Sequence, residues 1–308
     1  MARIRTRSFL PVASMERAIA HFGRQTAGEA LVRIGADWAP QEQELFYADG
    51  RRVEGHKAVI NPRTGDNLGI VGNGWRGLHN NLLAEGLERL STALGQPYQM
   101  VGADLVNGGQ MVKLTAILGE PKPIVVGDTT VRTVSVFQGH GGHYPFWFLS
   151  EVKRFICANG MAIAIPGLST AFSVRHSSGV ADRVEWNFSR VQTHFAPAME
   201  QVEASFKTLA DRSLSRPAAL QFFRSYGQEA LGHADAKLDQ TVNDLGEIWD
   251  NPRQQLAGDT MWRAFNSVTE WTQYGGFRTR DAAILGNTVG PAAAAKRNAL
   301  DFALAYAG

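Results

Sequence analysis

The densest run of apolar side chains, Phe146 to Ile156, has the composition of a buried strand, because aromatic and branched residues follow one another closely. One acidic and two basic residues interrupt it. The glycine-rich sequence Gly139-His140-Gly141-Gly142 precedes it and supplies the positive φ angles of a tight reversal. We therefore predict that Val131 to Gln138 pairs antiparallel with the chain from Tyr144 onward.

Two more pairs of short β-favouring runs predict hairpins. Lys57 to Asn61 and Asn67 to Val71 flank a turn with proline early and glycine late. Gln99 to Val106 and Gln110 to Leu118 flank an Asn-Gly step, which is a strong hairpin signal. Between the two hairpins, leucines at helical spacing predict a helix from Asn80 to Leu94.

After Gly179 the apolar period changes from two residues to between three and four, which is typical of helices. An apolar stripe over residues 182–211 predicts a long amphipathic helix, bent at Pro197, that lines either a core or a contact between subunits. Further helices are predicted over residues 218–230, 235–249, 260–274 and 291–307.

These patterns together predict an α+β protein. Its N-terminal part is an antiparallel sheet of hairpins, about six or seven strands ending at Ala171 to His176, with one packed helix. A mostly α-helical C-terminal half follows. We expect a peripheral segment over residues 1–55, an antiparallel α+β domain over 56–178, and a helical region over 179–308 packed on that domain.

Composition restricts the class of protein. The chain has 308 residues and 44% hydrophobic content, enough for a sizeable core, and no apolar run predicts a membrane-spanning segment. The single cysteine, Cys157, excludes an internal disulfide framework, so we expect a cytoplasmic protein. Residues 1–180 carry 18 Lys and Arg against 14 Asp and Glu, whereas residues 181–308 carry 13 against 15.

Basic residues on or beside the predicted strands are the first candidates for function, because charges there must point away from the apolar core. These cations are Lys113, Arg132, Lys153, Arg154 and Arg175. If they share one sheet face, phosphates would meet them while Trp75 and Tyr144 offer stacking surfaces for bases. In the alternative interpretation each cation is paired or solvated and each aromatic ring, Trp147 included, belongs to the core.

Histidines supply a second candidate site. His140, His143 and His176, with Asp128, have side chains that bind divalent metals, but His-x-x-His in a glycine loop is not the helical spacing of zinc hydrolases. Cys157 is a possible nucleophile, although a lone cysteine in an apolar run is more often a small buried hydrophobe.

The sequence Gly72-Asn73-Gly74-Trp75-Arg76-Gly77 matches the spacing of a dinucleotide-binding fingerprint. The bulky Trp75 occupies the phosphate turn, and the surrounding hairpins argue against a parallel βαβ unit. We therefore interpret it as a turn from strand to helix and predict no cofactor.

Separated stretches of the chain carry a family resemblance. They are INPRTGDNLGIVGNGW with LHNN at 60–81, VKRFICANGM at 152–161, SVRHS at 173–177, MWRAFNSVTEW at 261–271 and AAKRNAL at 294–300. Together they resemble the phage/plasmid-like proteins that share domain of unknown function 932, a setting that implies a bacterial mobile element. In element order alone the chain is also similar to the single-strand annealing proteins of phages.

The first hypothesis is therefore a nucleic-acid-binding protein that binds or anneals single-stranded DNA in recombination or element maintenance, as a homo-oligomer joined through the helix over residues 182–211. Two alternatives stay open. One is a metal-dependent hydrolase using the histidine-rich turn, and the other is a non-enzymatic factor that binds a host protein.

Overall fold

The computed structural model describes residues 15–155, 160–161, 171–277, 279–288 and 290–307. Cys157, the possible nucleophile, lies outside the described residues. The strands are β1 (Gln41–Phe46), β2 (Arg52–Ile60), β3 (Asn67–Gly72), β4 (Tyr98–Val106), β5 (Met111–Val125), β6 (Asp128–Gly139), β7 (Phe146–Arg154), β8 (Gly160–Met161) and β9 (Ala171–Val174). The helices are α1 (Met15–Phe22), α2 (Ala27–Arg33), α3 (Asn81–Leu94), α4 (Val180–Asp211), α5 (Arg216–Ser225), α6 (Asp235–Trp249), α7 (Pro252–Gln255), α8 (Met261–Tyr274), α9 (Arg280–Thr288) and α10 (Pro291–Ala307).

The predicted α+β class is confirmed, with an antiparallel N-terminal part and a largely helical C-terminal half. All three predicted hairpins form: Lys57 lies opposite Val71, Val106 opposite Met111, and residue 137 opposite residue 147. The strands are divided between two sheets, β1-β2-β3 and a six-stranded sheet ordered β4-β5-β6-β7, with β8 and β9 both on the free edge of β7.

The two faces of the six-stranded sheet differ in their cover. On one face, Leu114, Val136 and Phe148 lie side by side on adjacent strands and face α3 and α4. There Phe148 meets Phe188 of α4, with ring centroids 5.6 Å apart. On the other face, α1 packs on Ile117 and Val131, and side chains of α9 pack near Phe137 and Trp147. This alternation follows the pleat, which sends successive side chains to opposite faces.

The long helix α4 is the centre of the helical half. Its predicted apolar stripe is buried and consists of Val184, Phe188, Val191, Phe195, Met199, Val202, Phe206 and Leu209. These side chains pack on the sheet and on α8, where Phe206 meets Trp262 at 4.7 Å between ring centroids. The apolar stripe therefore lines the chain's own core, the first of the two roles that its pattern allowed.

Residues 15–55 are less peripheral than predicted. In α2, Ala27, Ala30 and Leu31 are fully buried in the main core, and the Thr26 side chain caps the helix by accepting a hydrogen bond from Glu29 N. The expected boundary at residue 55 falls inside β2, which pairs with both β1 and β3. Among the described residues, no helix is long and apolar enough to cross a membrane.

Candidate functional site

A cleft of about 770 Å³ opens where β7 begins and β9 ends, beside the turn that follows β3. We call it the aromatic cleft. Its walls are Trp75, Gly142, His143, Tyr144, Pro145, Trp147, Ser173, Arg175, His176 and Ser177. Three of these ten side chains are large aromatics, and none of the ten is acidic. The lining is therefore suited to flat groups and to anions.

Glycines allow the loop over residues 139–144 to form this wall. A Cβ on Gly139 would meet Tyr144 O at 2.3 Å, and one on Gly141 would meet Leu68 O at 2.4 Å. No side chain fits at either position without moving backbone. The loop therefore lies directly against β3 and brings the small sheet and the large sheet together at the cleft.

The floor of the cleft is a pair of rings, Trp75 and His176, tilted by 30° with their centroids 5.4 Å apart. Both are buried, and burial lowers the pKa of His176, so its ring is neutral at neutral pH. The two segments are tied together, because Arg76 N donates to His176 O at 3.3 Å and the His176 Nδ1 atom lies 3.1 Å from Arg76 O.

Three buried nitrogens of the cleft wall have no hydrogen-bond partner within the described part of the chain: Trp75 Nε1, Trp147 Nε1 and His176 Nε2. An indole N–H can only donate. A buried donor without a partner costs about 1–3 kcal/mol. An ordered water or a bound group in the cleft would supply the acceptor that each indole needs.

Three arginines, which we call the rim arginines, lie in the cleft wall or are hydrogen-bonded to it: Arg76, Arg175 and Arg183. Arg175 lines the cleft and is exposed. Arg183 Nη2 donates to Arg175 O at 3.1 Å and to Ser177 Oγ at 2.8 Å, and Arg76 Nη1 donates to Trp75 O at 2.8 Å. Within the described ranges, none of the three makes an ion pair with a carboxylate. Their charges are therefore available to an anionic ligand.

Of the five cations predicted to bind phosphate, only Arg175 lies in this cleft. Arg132 is buried and forms a bidentate pair with Glu203 of α4, at 2.6 and 2.8 Å. Burial raises the pKa of Glu203, but the hydrogen bonds from Arg132 and Lys122 outweigh it and leave that pKa lowered. Arg132 thus stabilises the contact between sheet and helix.

Arg154 is also internal. Its Nε donates to Asp128 Oδ1 at 2.6 Å, and its Nη1 donates to Gln254 Oε1 at 2.5 Å. Trp262 Nε1 donates to the other Asp128 oxygen at 2.8 Å. Arg154 and Asp128 are both almost fully buried, so this pair joins the sheet to α7 and α8 and meets no solvent.

Lys113 and Lys153 lie on the sheet face opposite α4, in a largely buried cluster with Glu151 and with Lys296 of α10. Lys153 Nζ is 2.8 Å from Glu151 Oε2. Burial lowers the pKa of Lys113, and burial lowers the pKa of Lys296 to about 7. The prediction that the five cations share one open groove is therefore wrong. Arg132, Arg154 and the two lysines belong to separate internal networks, and of the five only Arg175 lies in the cleft.

The histidine-rich turn does not form the alternative metal site. His140 is buried against Trp38, its Nε2 lies 2.9 Å from Asn80 Oδ1, and burial lowers its pKa to about 3. His143 is exposed in the cleft and His176 lies in its floor. In the described ranges, no three His, Cys, Asp or Glu side chains are placed to hold a metal ion.

The glycine-rich sequence over residues 72–77 connects the antiparallel strand β3 to α3, as its interpretation as a turn predicted. Trp75 is buried in it. Sequence reasoning found Trp75, Tyr144 and Arg175 but missed two rim arginines. Arg76 follows Trp75 in this turn, and Arg183 lies in the first turn of α4. The two are far apart in sequence, so only the folded structure shows that they belong to the same site.

Residues 67–296, well over half of the chain, match the family model described as Domain of unknown function (DUF932). No curated protein and no solved structure matches the chain.

Proposed function

The chain belongs to the DUF932 family, whose description names no activity, and we propose from the aromatic cleft that it binds single-stranded nucleic acid, DNA in the first instance. One observation carries the proposal: an aromatic cleft with no acidic side chain in its lining has three arginines in or next to its wall, and none of them pairs with a described carboxylate. Sequence-tolerant single-strand binding combines these two elements, rings for bases and cations for the backbone.

In this proposal Tyr144 and Trp147, both partly exposed, offer ring surfaces to bases, and Trp75 with His176 closes the floor. Stacking of one base on an aromatic side chain contributes about 1–3 kcal/mol. The rim arginines meet phosphates. Three such contacts give a salt slope of about −2 for a single strand, which is about a 20-fold loss of affinity between 50 and 200 mM salt.

The biological role that we propose is binding or annealing of single strands in recombination or in maintenance of a phage or plasmid. That part of the proposal rests on the family resemblance.

The experiment is fluorescence anisotropy of a labelled 20-mer of thymidine, titrated with the protein at 50 and 200 mM salt. Tyr144→Ala keeps the Cβ beside Gly139 and should weaken binding by about fivefold or more through lost stacking. Arg175→Ala should weaken it by roughly fivefold and reduce the salt slope by about 0.7.

Arg212→Ala is the matched control, because Arg212 is exposed and follows the far end of α4. At 1.5 Å rise per residue it lies about 40 Å along the helix from Arg183. Absence of micromolar binding at 50 mM salt would refute the proposal. Equal losses for Arg175→Ala and Arg212→Ala would show that binding occurs away from the cleft.

A further inference from the structure

A second cavity, of about 760 Å³, lies in the helical half and is separate from the aromatic cleft. We call it the helical pocket. Its walls come from α6, from the end of α8 with the glycines that follow, and from the start of α10. Trp271, Phe277, Leu231 and Pro291 make most of it apolar. A mostly apolar cavity of this volume with few polar groups is the usual form of a small-molecule site.

Most of the polar groups of the helical pocket lie on one face of α6, at Lys237, Gln240, Thr241 and Asp244, and His233 and Thr272 add two more. The positions on α6 are three, four and seven residues apart, so their side chains point the same way. Asp244 is the only acidic side chain among the described lining residues. A ligand in this pocket would therefore meet a single carboxylate on the polar side of a largely apolar cavity.

Asp244 is held in place from two sides. Gln240 Nε2 donates to its Oδ1 at 2.6 Å, and Trp271 Nε1 donates to its Oδ2 at 3.1 Å. Each carboxylate oxygen has two lone pairs, so both can accept a further hydrogen bond. Within the described residues no cation forms an ion pair with Asp244. The carboxylate is thus oriented and retains acceptor capacity.

The chain entering the pocket has an unusual backbone. After α5 it forms a π-helical turn over Tyr226–Ala230, and Leu231, the next residue, lines the pocket. Asp235, the first residue of α6, has φ at 48°, a left-handed conformation that a non-glycine residue seldom adopts. Single π turns and such left-handed residues occur preferentially at functional sites. This observation is independent of the cavity itself.

From these features we propose that the helical pocket binds a small apolar amine, whose ring system packs against Trp271 and Phe277 and whose ammonium group donates to Asp244. An ammonium group brings only donors, which matches a carboxylate with free lone pairs. A neutral ligand of the same shape donates only from an uncharged group, and an anionic ligand is repelled by the carboxylate.

The test uses three probes of one shape on the full chain, by calorimetric titration: tryptamine, indole-3-ethanol and indole-3-propionate. Tryptamine should bind at least tenfold more tightly than the alcohol, because both partners of its hydrogen bond are charged, whereas the alcohol meets the carboxylate with an uncharged donor. The carboxylate should bind more weakly still. Equal affinity of the amine and the alcohol, or no binding of any probe at millimolar concentration, would overturn the proposal.

Two variants and one control show where the probe binds. Asp244→Asn should reduce the affinity for tryptamine to that for the alcohol, whereas Asp239→Asn, on α6 in a surface pair with Arg224, should leave it unchanged. Ala295→Leu narrows the pocket from α10 without touching Asp244 and should abolish binding of both probes. If tryptamine binds Ala295→Leu as it binds the wild-type chain, the amine lies elsewhere and the assignment is wrong.

Discussion

Replacing Arg154 by leucine is expected to lower the free energy of unfolding by about 3–5 kcal/mol, because it leaves a carboxylate buried without its cation. Asp128 is 1% exposed, and its remaining donor would be Trp262 Nε1. The change also removes the N–H groups that donate hydrogen bonds to Gln254 Oε1 and to the backbone oxygen of Arg253. Each acceptor left unsatisfied adds to the cost.

The measurement is urea unfolding followed by tryptophan fluorescence, with nucleic-acid affinity measured on the folded variant. Arg224→Leu is the matched control, since Arg224 pairs with Asp239 at the surface at 3.1 Å, and its loss should cost at most about 1 kcal/mol. The double variant Asp128→Asn with Arg154→Leu should recover part of the stability, because no unpaired charge stays buried.

The outcome separates two roles for the same cation. A structural Arg154 gives a large loss of stability and unchanged affinity for the labelled 20-mer, whereas Arg175→Ala gives the reverse. If Arg154→Leu unfolds within about 1 kcal/mol of the wild-type chain, or if it weakens binding as strongly as Arg175→Ala, the internal role assigned to Arg154 is refuted.

Two further predictions concern stability. Burial lowers the pKa of His140 to about 3 in the folded chain, against an ordinary value of about 6.5. The unfolded chain therefore binds more protons below pH 6.5, and the folded state becomes less stable as the pH is lowered. The loss should reach about 2 kcal/mol between pH 7 and pH 5, measured by urea unfolding. His140→Gln should flatten this dependence, and an unchanged slope would contradict the assignment. Gly86→Ala should destabilise by about 1–3 kcal/mol, because a Cβ there would meet Phe188 of α4 at 2.3 Å. Gly28→Ala, with open space at the same atom, should instead stabilise slightly, and similar thermal shifts for both variants would count against close packing of α3 on α4.

Local patterns were enough for most of the elements. The hairpin turn at Asn107-Gly108-Gly109 has three consecutive positive φ angles, and residues of these types adopt such angles with little or no strain. The apolar stripe on α4 could be predicted from the sequence because a helix repeats every 3.6 residues. The division into two sheets and the burial of α2 were not, because they depend on how segments distant in sequence pack together.

The candidate site was predicted only in part, because the sequence shows residue types but not which distant residues they meet. Trp75, Tyr144 and Arg175 were found as residue types suited to nucleic acid, and they do meet in one cleft. Arg132 and Arg154 were chosen by the same reasoning, yet each is paired inside the protein. A cation's role depends on the acid that it meets, and nothing near Arg132 in the sequence indicates Glu203.

By itself the sequence determined which faces of each strand and helix are apolar, because that property follows from side-chain period and backbone geometry alone. Only the tertiary structure decided which charges stay open to a ligand. Glu203 is 71 residues from Arg132, and Gln254 is 100 residues from Arg154. Electrostatic pairing depends on distance in space, so these partners become defined only when α4 and α7 pack against the sheet.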